Sequence, residues 1–289
     1  MNNFRNGSDR NGSAKNSSEI DWNDVWVRTF ALQTKNEQKH TSKWEDKKTA
    51  ENFWKRSQKN TKSTDDTISE LPIMPESSVL DIGSGPGRLS IPIAKRVKRL
   101  TAVEPAEGMR NVLIENLKSE NIENVDIVSK NWEDIDPSDL STPYDLSIAA
   151  FSLAVTDIKA AIEKIESVTS GYVFVYWFCG LSPWDKHSIE LWERLYDEEY
   201  IVGPKSNVIY NVLYDMGIYP DMRVFELDNS VYFDTFDDAL THFKFNYKIP
   251  DESEDILKNY LKEKLIFENG KYTDLGKSTR VRISWKVEK

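Results

Sequence analysis

Short apolar runs alternate with longer amphipathic segments between residues 78 and 178, and this alternation predicts strands and helices in turn. The apolar runs suit strands that are buried on both faces. The predicted strands are 78–82, 100–103, 125–128, 144–150 and 172–178. The predicted helices are 88–97, 106–119 and 158–168. This order is typical of a doubly wound sheet with right-handed crossovers.

Aromatic residues mark the segment that precedes the first strand. An aromatic residue recurs every four positions, at Trp22, Trp26 and Phe30, so these side chains share one helix face. Such an apolar face is expected to pack against another part of the protein. We interpret 20–70 as an N-terminal helical cap, packed on the main domain or also serving as a lid over a ligand. Residues 1–19 are polar and low in complexity, and we expect a disordered tail there.

Residues 71–289 are predicted to form one domain, with a substrate-side insertion at about 181–222. Near the end of the chain, apolar residues alternate over 281–287, which indicates a strand with one face turned inward. The fold class expected is therefore α/β: a doubly wound, Rossmann-like, mostly parallel seven-stranded sheet. A terminal antiparallel hairpin and the N-terminal helical cap complete it.

Composition narrows the possible partners. The 289 residues carry 48 acidic against 38 basic side chains, a net charge of -10 that opposes binding to nucleic acid. A lone cysteine, Cys179, excludes an intrachain disulfide and a cysteine-clustered metal site, and it fits the cytoplasm. The longest apolar run, 172–179, is too short to cross a bilayer. We expect a monomer or homodimer that binds a small molecule, with no metal, nucleic acid or membrane partner.

The stretch VLDIGSGPGR, beginning at Val79, places three glycines where the first strand turns into a helix. Such a turn exposes backbone N–H groups to a ligand, although glycine can also serve close packing alone. The spacing is G-x-G-x-G, so the third glycine of the dinucleotide fingerprint falls on Arg88, which disfavours NAD. Glu104 follows the second strand about 20 residues later, where an acid can bind a ribose diol.

These motifs resemble those of the class I S-adenosylmethionine-dependent methyltransferases, in particular the small-molecule branch similar to ubiquinone and menaquinone biosynthesis enzymes. VEPAEGM, SKNWEDI and YDLSIAAF match the family motifs that follow the second, third and fourth strands, with Asn131 where an aspartate is usual. The resemblance implies S-adenosylmethionine as cofactor and S-adenosylhomocysteine as product. It implies these cofactor-binding residues: Asp81, Gly83, Ser84, Gly85, Gly87, Glu104, Pro105, Met109, Asn131, Trp132 and Ala149.

The expected function is methyl transfer to a small-molecule acceptor by in-line displacement, which needs no particular catalytic side chain. No catalytic residue is therefore assigned. Two alternatives remain: a catalytically silent cofactor-binding subunit and an aminopropyltransferase-like enzyme. The candidate substrate residues are Phe151, Trp177, Trp184, His187 and Tyr210.

Overall fold

A seven-stranded sheet forms the centre of the protein. The structure, a computed structural model, describes residues 20–37, 43–59 and 61–288; the predicted tail, 1–19, lies outside them. The strands of this sheet are β1 (Ser78–Ile82), β2 (Arg99–Val103), β3 (Val125–Val128), β4 (Tyr144–Ala150), β5 (Thr169–Phe178), β6 (Asp221–Asp228) and β10 (Lys277–Lys286). Their order across the sheet is β3-β2-β1-β4-β5-β10-β6.

The first five strands run parallel, whereas β10 is antiparallel to both of its neighbours. The predicted α/β, Rossmann-like fold with a mostly parallel seven-stranded sheet is confirmed, and its antiparallel part is the pairing of the terminal strand β10 with β5 and β6. Parallel strands place their carboxyl ends along a single edge. Because β10 runs the other way, its first residues lie at that same edge, opposite the end of β5.

Helices cover both faces of this sheet. The helices are α1 (Trp22–Glu37), α2 (Lys47–Lys59), α3 (Lys62–Ser69), α4 (Ser90–Ala94), α5 (Glu107–Ser119), α6 (Ile158–Val168), α7 (Pro183–Tyr196), α8 (Ser206–Asp215), α9 (Phe236–Tyr247) and α10 (Glu254–Lys264). One apolar core lies between the sheet and α1, α6 and α8. The other lies between the sheet and α3, α4 and α5.

The N-terminal helices pack at two separate places. Helix α1 lies on α6 and α8, where the indole of Trp26 is fully buried and donates to the carbonyl of Val155 at 2.8 Å. Helix α2 lies on α5 instead. Just before α2, the carboxylate of Glu45 accepts from the Glu107 N–H at 2.9 Å and so caps the start of α5. The predicted cap thus reaches the loop that follows β2.

A smaller layer is inserted between β6 and β10. It contains α9, α10 and a three-stranded antiparallel sheet of β7 (Val231–Phe233), β9 (Lys271–Asp274) and β8 (Ile266–Glu268). Its apolar core also includes Leu191 of α7. Within the described ranges, no helix has the length and apolar character needed to span a membrane.

The buried contacts of Trp26 predict the effect of its removal. The ring stacks on Phe30 and lies 5.7 Å from the ring of Trp177. Trp26→Ala should lower the free energy of unfolding by about 3–5 kcal/mol, because it leaves a large cavity and an unpaired carbonyl. Urea unfolding measures this. Leu32→Ala, at a 45% exposed position of the same helix, should cost less than about 0.5 kcal/mol, and equal losses would contradict the assigned packing.

Candidate cofactor and acceptor site

The glycine turn after β1 has a backbone that only glycine adopts readily. Gly83, Gly85 and Gly87 have φ angles of +72°, +57° and +96°. A Cβ on Gly83 would lie 2.2 Å from the Cβ of Ser152, and one on Gly87 would lie 2.8 Å from the side chain of Leu113. These two glycines therefore serve close packing. A Cβ on Gly85 would meet no atom within 4 Å, so this glycine leaves space on the outside of the turn.

The carboxylate of Glu104 joins this turn to the one after β2. One oxygen accepts from the Gly85 N–H at 2.7 Å and the other from the Ala106 N–H at 2.9 Å. Burial raises the pKa of Glu104, while the two N–H donors favour its charged form. Each carboxylate oxygen has a further lone pair, so Glu104 can still accept hydrogen bonds from two hydroxyl groups.

Asp81 lies beneath the turn, with a side chain that is 2% exposed. The Ser90 hydroxyl donates to it at 2.5 Å. Burial raises the pKa of Asp81 to about 6, against the opposing effects of Ser90 and Arg88. Nearby, the hydroxyl of Ser84 is buried and has no hydrogen-bond partner within the described part of the chain. The turn thus offers an open side, two acids and an unsatisfied hydroxyl.

Three more of the predicted cofactor residues lie close to these turns. Met109 is buried on α5 against α2, and Ala149 is buried in β4 beside Ile82 of β1. Pro105 is exposed, and its carbonyl accepts from Arg110. These positions flank the turns that follow β1 and β2.

Two predicted residues make contacts elsewhere. The amide of Asn131 donates to Asp134 at 2.9 Å. The indole of Trp132 donates to the carbonyl of Ala161 and lies in the core beneath α6. Asn131 therefore still has its amide oxygen to offer a ligand, whereas Trp132 contributes packing.

The five candidate substrate residues do not form one group. Phe151 and Trp184 lie on either side of Phe178, whose ring is 5.0 Å from Phe151 and 5.6 Å from Trp184. Phe151 is a non-glycine residue with a φ of +61°, a strained conformation that fixes its ring at the end of β4. The guanidinium of Arg280 lies over all three rings.

The other candidates lie apart from this aromatic group. Trp177 points to the opposite face of β5, where its indole donates to the carbonyl of Pro204. His187 is buried against α10, and its ring nitrogens bond to the Tyr260 hydroxyl and the Asp274 carboxylate. Tyr210 is half-buried on α8 beside Tyr214. His187 thus links α7 to the layer inserted between β6 and β10, since both of its ring nitrogens are engaged.

Sequence reasoning missed Arg280 and Phe178. The signal was present in β10, where the apolar residues of one face alternate with Arg280 and Arg282 on the other. A strand between two neighbours rarely carries arginines on a covered face without a partner for them. For Arg88, directly after the third glycine, the sequence pattern indicates only a departure from the dinucleotide fingerprint.

Comparisons with known proteins agree with this geometry. Residues 79–170 match the family model described as a methyltransferase domain. A protein of Methanococcus maripaludis named "Probable cobalt-precorrin-6B C(15)-methyltransferase (decarboxylating)" is 39% identical over 69 residues, 24% of this chain and 38% of that protein. The ribosomal RNA small subunit methyltransferase A of Desulforapulum autotrophicum is 40% identical over 77 residues, 27% of this chain and 26% of that protein.

Among solved structures, the YcgJ protein from Bacillus subtilis superposes with a TM-score of 0.54 at 14% identity, over 78% of this chain and 98% of that one. This likeness concerns the fold. The match of residues 79–170 to a methyltransferase domain agrees with the motifs found in the sequence. S-adenosylmethionine is the cofactor that those motifs imply. The chain spans less than half the length of the two named relatives it matches.

The burial of Asp81 predicts a pH dependence of stability. The folded protein holds this carboxyl with a pKa of about 6, above the ordinary 3.8, and so binds the proton more tightly than the unfolded chain does. The contribution of the protonated Asp81 to the free energy of unfolding is present below pH 4 and is lost as the pH rises through 6. A pKa difference of this size corresponds to roughly 3 kcal/mol.

The measurement is urea unfolding of wild type and Asp81→Asn at pH 4, 5, 6 and 7. The stability of wild type relative to the variant should fall by up to about 3 kcal/mol over this range. Asn cannot titrate but can still accept from Ser90. A constant difference across the range would show that Asp81 is ionised throughout.

Proposed function

We propose that the protein transfers a methyl group from S-adenosylmethionine to a small-molecule acceptor by in-line displacement. The observation that carries this proposal is the joining of the two turns by Glu104. Its carboxylate and the open side of Gly85 lie together at the carboxyl ends of β1 and β2. In doubly wound proteins, this is where ligands bind.

The residues present fit this cofactor. Glu104 has acceptor capacity left for the two hydroxyls of a ribose. The unpartnered hydroxyl of Ser84 and the open side of Gly85 supply a polar surface without a blocking side chain. Asp81 supplies a carboxyl group for the cationic amino-acid end. The proposal assigns the cofactor to these residues together with Met109, Asn131 and the backbone around Ala149.

When bound, the cofactor supplies an activated methyl group on a positively charged sulfur. The chain has to orient the acceptor toward that methyl group and exclude water from the path. Phe151, Phe178 and Trp184 form the apolar wall for this task. Burial raises the pKa of the nearby Tyr176, so its hydroxyl stays protonated and can donate a hydrogen bond to a ligand.

A small acceptor is supported by features of this chain. The names of the two relatives contain different acceptors, a cobalt-precorrin and a ribosomal RNA, so these names do not decide the chemical class of the acceptor. The net charge of -10 opposes a polyanion such as RNA. An aromatic wall suits a flat or apolar molecule. The cytoplasmic location and the monomeric or homodimeric state remain predictions from the sequence.

The role given to Glu104 predicts a selective loss of cofactor affinity. Glu104→Ala should weaken S-adenosylhomocysteine binding by about 1.5–3 kcal/mol, as for hydrogen bonds to a charged group. Isothermal titration calorimetry measures this. NAD should bind wild type poorly. Unchanged S-adenosylhomocysteine affinity in the variant would refute the cofactor assignment.

A matched control separates this effect from a loss of charge. Glu107→Ala removes an exposed acid three residues away, at the start of α5, and should leave the affinity within a factor of about three. Glu104 also bonds to two backbone N–H groups, so Glu104→Gln is the second variant. Its amide oxygen keeps one acceptor, and a smaller loss than with Ala is expected. Thermal unfolding of each variant reports whether the turns themselves are intact.

A further inference from the structure

We propose that the methyl acceptor carries a carboxylate group, which binds the guanidinium of Arg280 within the group of Phe151, Phe178 and Trp184. This inference rests on the proposed function, since it names the chemical class of the acceptor at that same site. The four residues come from four places in the chain: just after β4, the end of β5, the start of α7 and the start of β10. Their meeting point is the carboxyl edge of the sheet.

Arg280 is held in place by aromatic rings. Its guanidinium carbon lies 4.5 Å from the ring centre of Phe151, 5.5 Å from that of Phe178 and 5.9 Å from that of Trp184. Its Nε donates to the Ser278 hydroxyl at 2.9 Å. Such contacts orient a guanidinium and leave its terminal nitrogens to donate. Trp184, at 39% exposed, forms the outer wall.

Arg280 has no acidic partner among the residues described. Two neighbouring arginines of the same sheet face, Arg282 and Arg223, both form ion pairs with Glu70. Neither Arg280 nor Arg88 forms an ion pair in the described part of the chain. A half-buried cation without a counterion costs solvation free energy. Proteins commonly accept that cost where a ligand supplies the missing charge.

Two further polar atoms on this sheet face are unsatisfied. The hydroxyl of Tyr176, which is 3% exposed, and the Nε of Arg282 are buried and have no hydrogen-bond partner within the described ranges. Tyr176 precedes Phe178 on the same face of β5, and its ring lies 6.4 Å from that of Phe151. Both atoms are donors here. Because Glu70 is already paired with Arg282 and Arg223, these two donor atoms and the charge of Arg280 have no carboxylate partner in the described part of the chain.

The charge state supports this arrangement. Burial and the positive charge of Arg88 lower the pKa of Arg280 to about 10, so it remains cationic at neutral pH. Arg88 also interacts electrostatically with Asp81 and Tyr176. A carboxylate here could come from the acceptor or from the amino-acid end of the cofactor. We assign it to the acceptor because the rings beside Arg280 form the acceptor wall.

Calorimetric titration of the full chain with benzoate and with benzamide tests the proposal, with and without saturating S-adenosylhomocysteine. The two probes share a flat ring and differ in charge. Wild type should bind benzoate at least about tenfold more tightly than benzamide, because a charged pair with a guanidinium is the stronger one. Arg280→Gln should abolish that preference. Arg280→Lys, which keeps the charge but loses the planar fork, should retain part of it.

Arg99→Gln is the matched control, since this arginine lies at the start of β2, at the opposite edge of the sheet. It should bind benzoate as wild type does. Equal binding of both probes to wild type, or full benzoate affinity in Arg280→Gln, would overturn the proposal. Loss of S-adenosylhomocysteine affinity in Arg280→Gln by a similar factor would also overturn it, because the carboxylate would then belong to the cofactor. Failure of wild type to bind S-adenosylhomocysteine would instead refute the proposed function.

Discussion

The hydrogen bonds from two backbone N–H groups to the carboxylate of Glu104 are the constraint on which the site depends. They join the turn after β1 to the turn after β2, and the parallel pairing of these strands holds the turns side by side. The carbonyl of Val103 accepts from Gly83 and Ser84 and adds a second connection between the strand ends. Burial destabilises the ionised form of Glu104, and the two N–H donors stabilise it. Any ligand at this edge therefore meets a rigid surface.

The direction of β10 decides which of its residues lie at the carboxyl edge of the sheet, together with those turns. A seventh strand parallel to the others would place its last residues at the carboxyl edge, whereas the antiparallel β10 places its first residues there. Arg280 faces Phe178 in this register, while Arg282 lies two residues further into the sheet and donates to Glu70. The same strand therefore supplies one arginine with an internal counterion and one without. The antiparallel direction of β10 thus places Arg280 at the carboxyl edge, where a ligand can reach it, and leaves Arg282 inside the sheet with Glu70 as its counterion.

Much of the fold could be predicted from the sequence, because buried parallel strands are continuous apolar runs. The strands 78–82, 125–128 and 144–150 have the predicted bounds. Helix α4 is shorter than predicted, since the glycine turn continues to Leu89. The direction of individual side chains was harder to predict. Trp177 and Phe178 are adjacent in an apolar strand and point to opposite faces, and composition does not tell which face meets the acceptor. The bonds of His187 to Tyr260 and Asp274 depend on contacts 73 and 87 residues away, which no local pattern reveals.

The two halves of the carboxyl edge have opposite charge. Asp81 and Glu104 lie on the β1–β2 side, and Arg280 lies on the β5–β10 side, with Arg88 interacting electrostatically with both Asp81 and Arg280. The acidic side suits hydroxyls and a cationic group, and the basic side suits an anion. Since the whole chain is strongly acidic, long-range attraction does not favour a large anion. Attraction at Arg280 is instead short-range and strengthened by the apolar rings around it. The proposed carboxylate-bearing acceptor fits this arrangement, because a local cation in an acidic protein favours a small anion that can enter the aromatic group over a polyanion that must approach the whole surface.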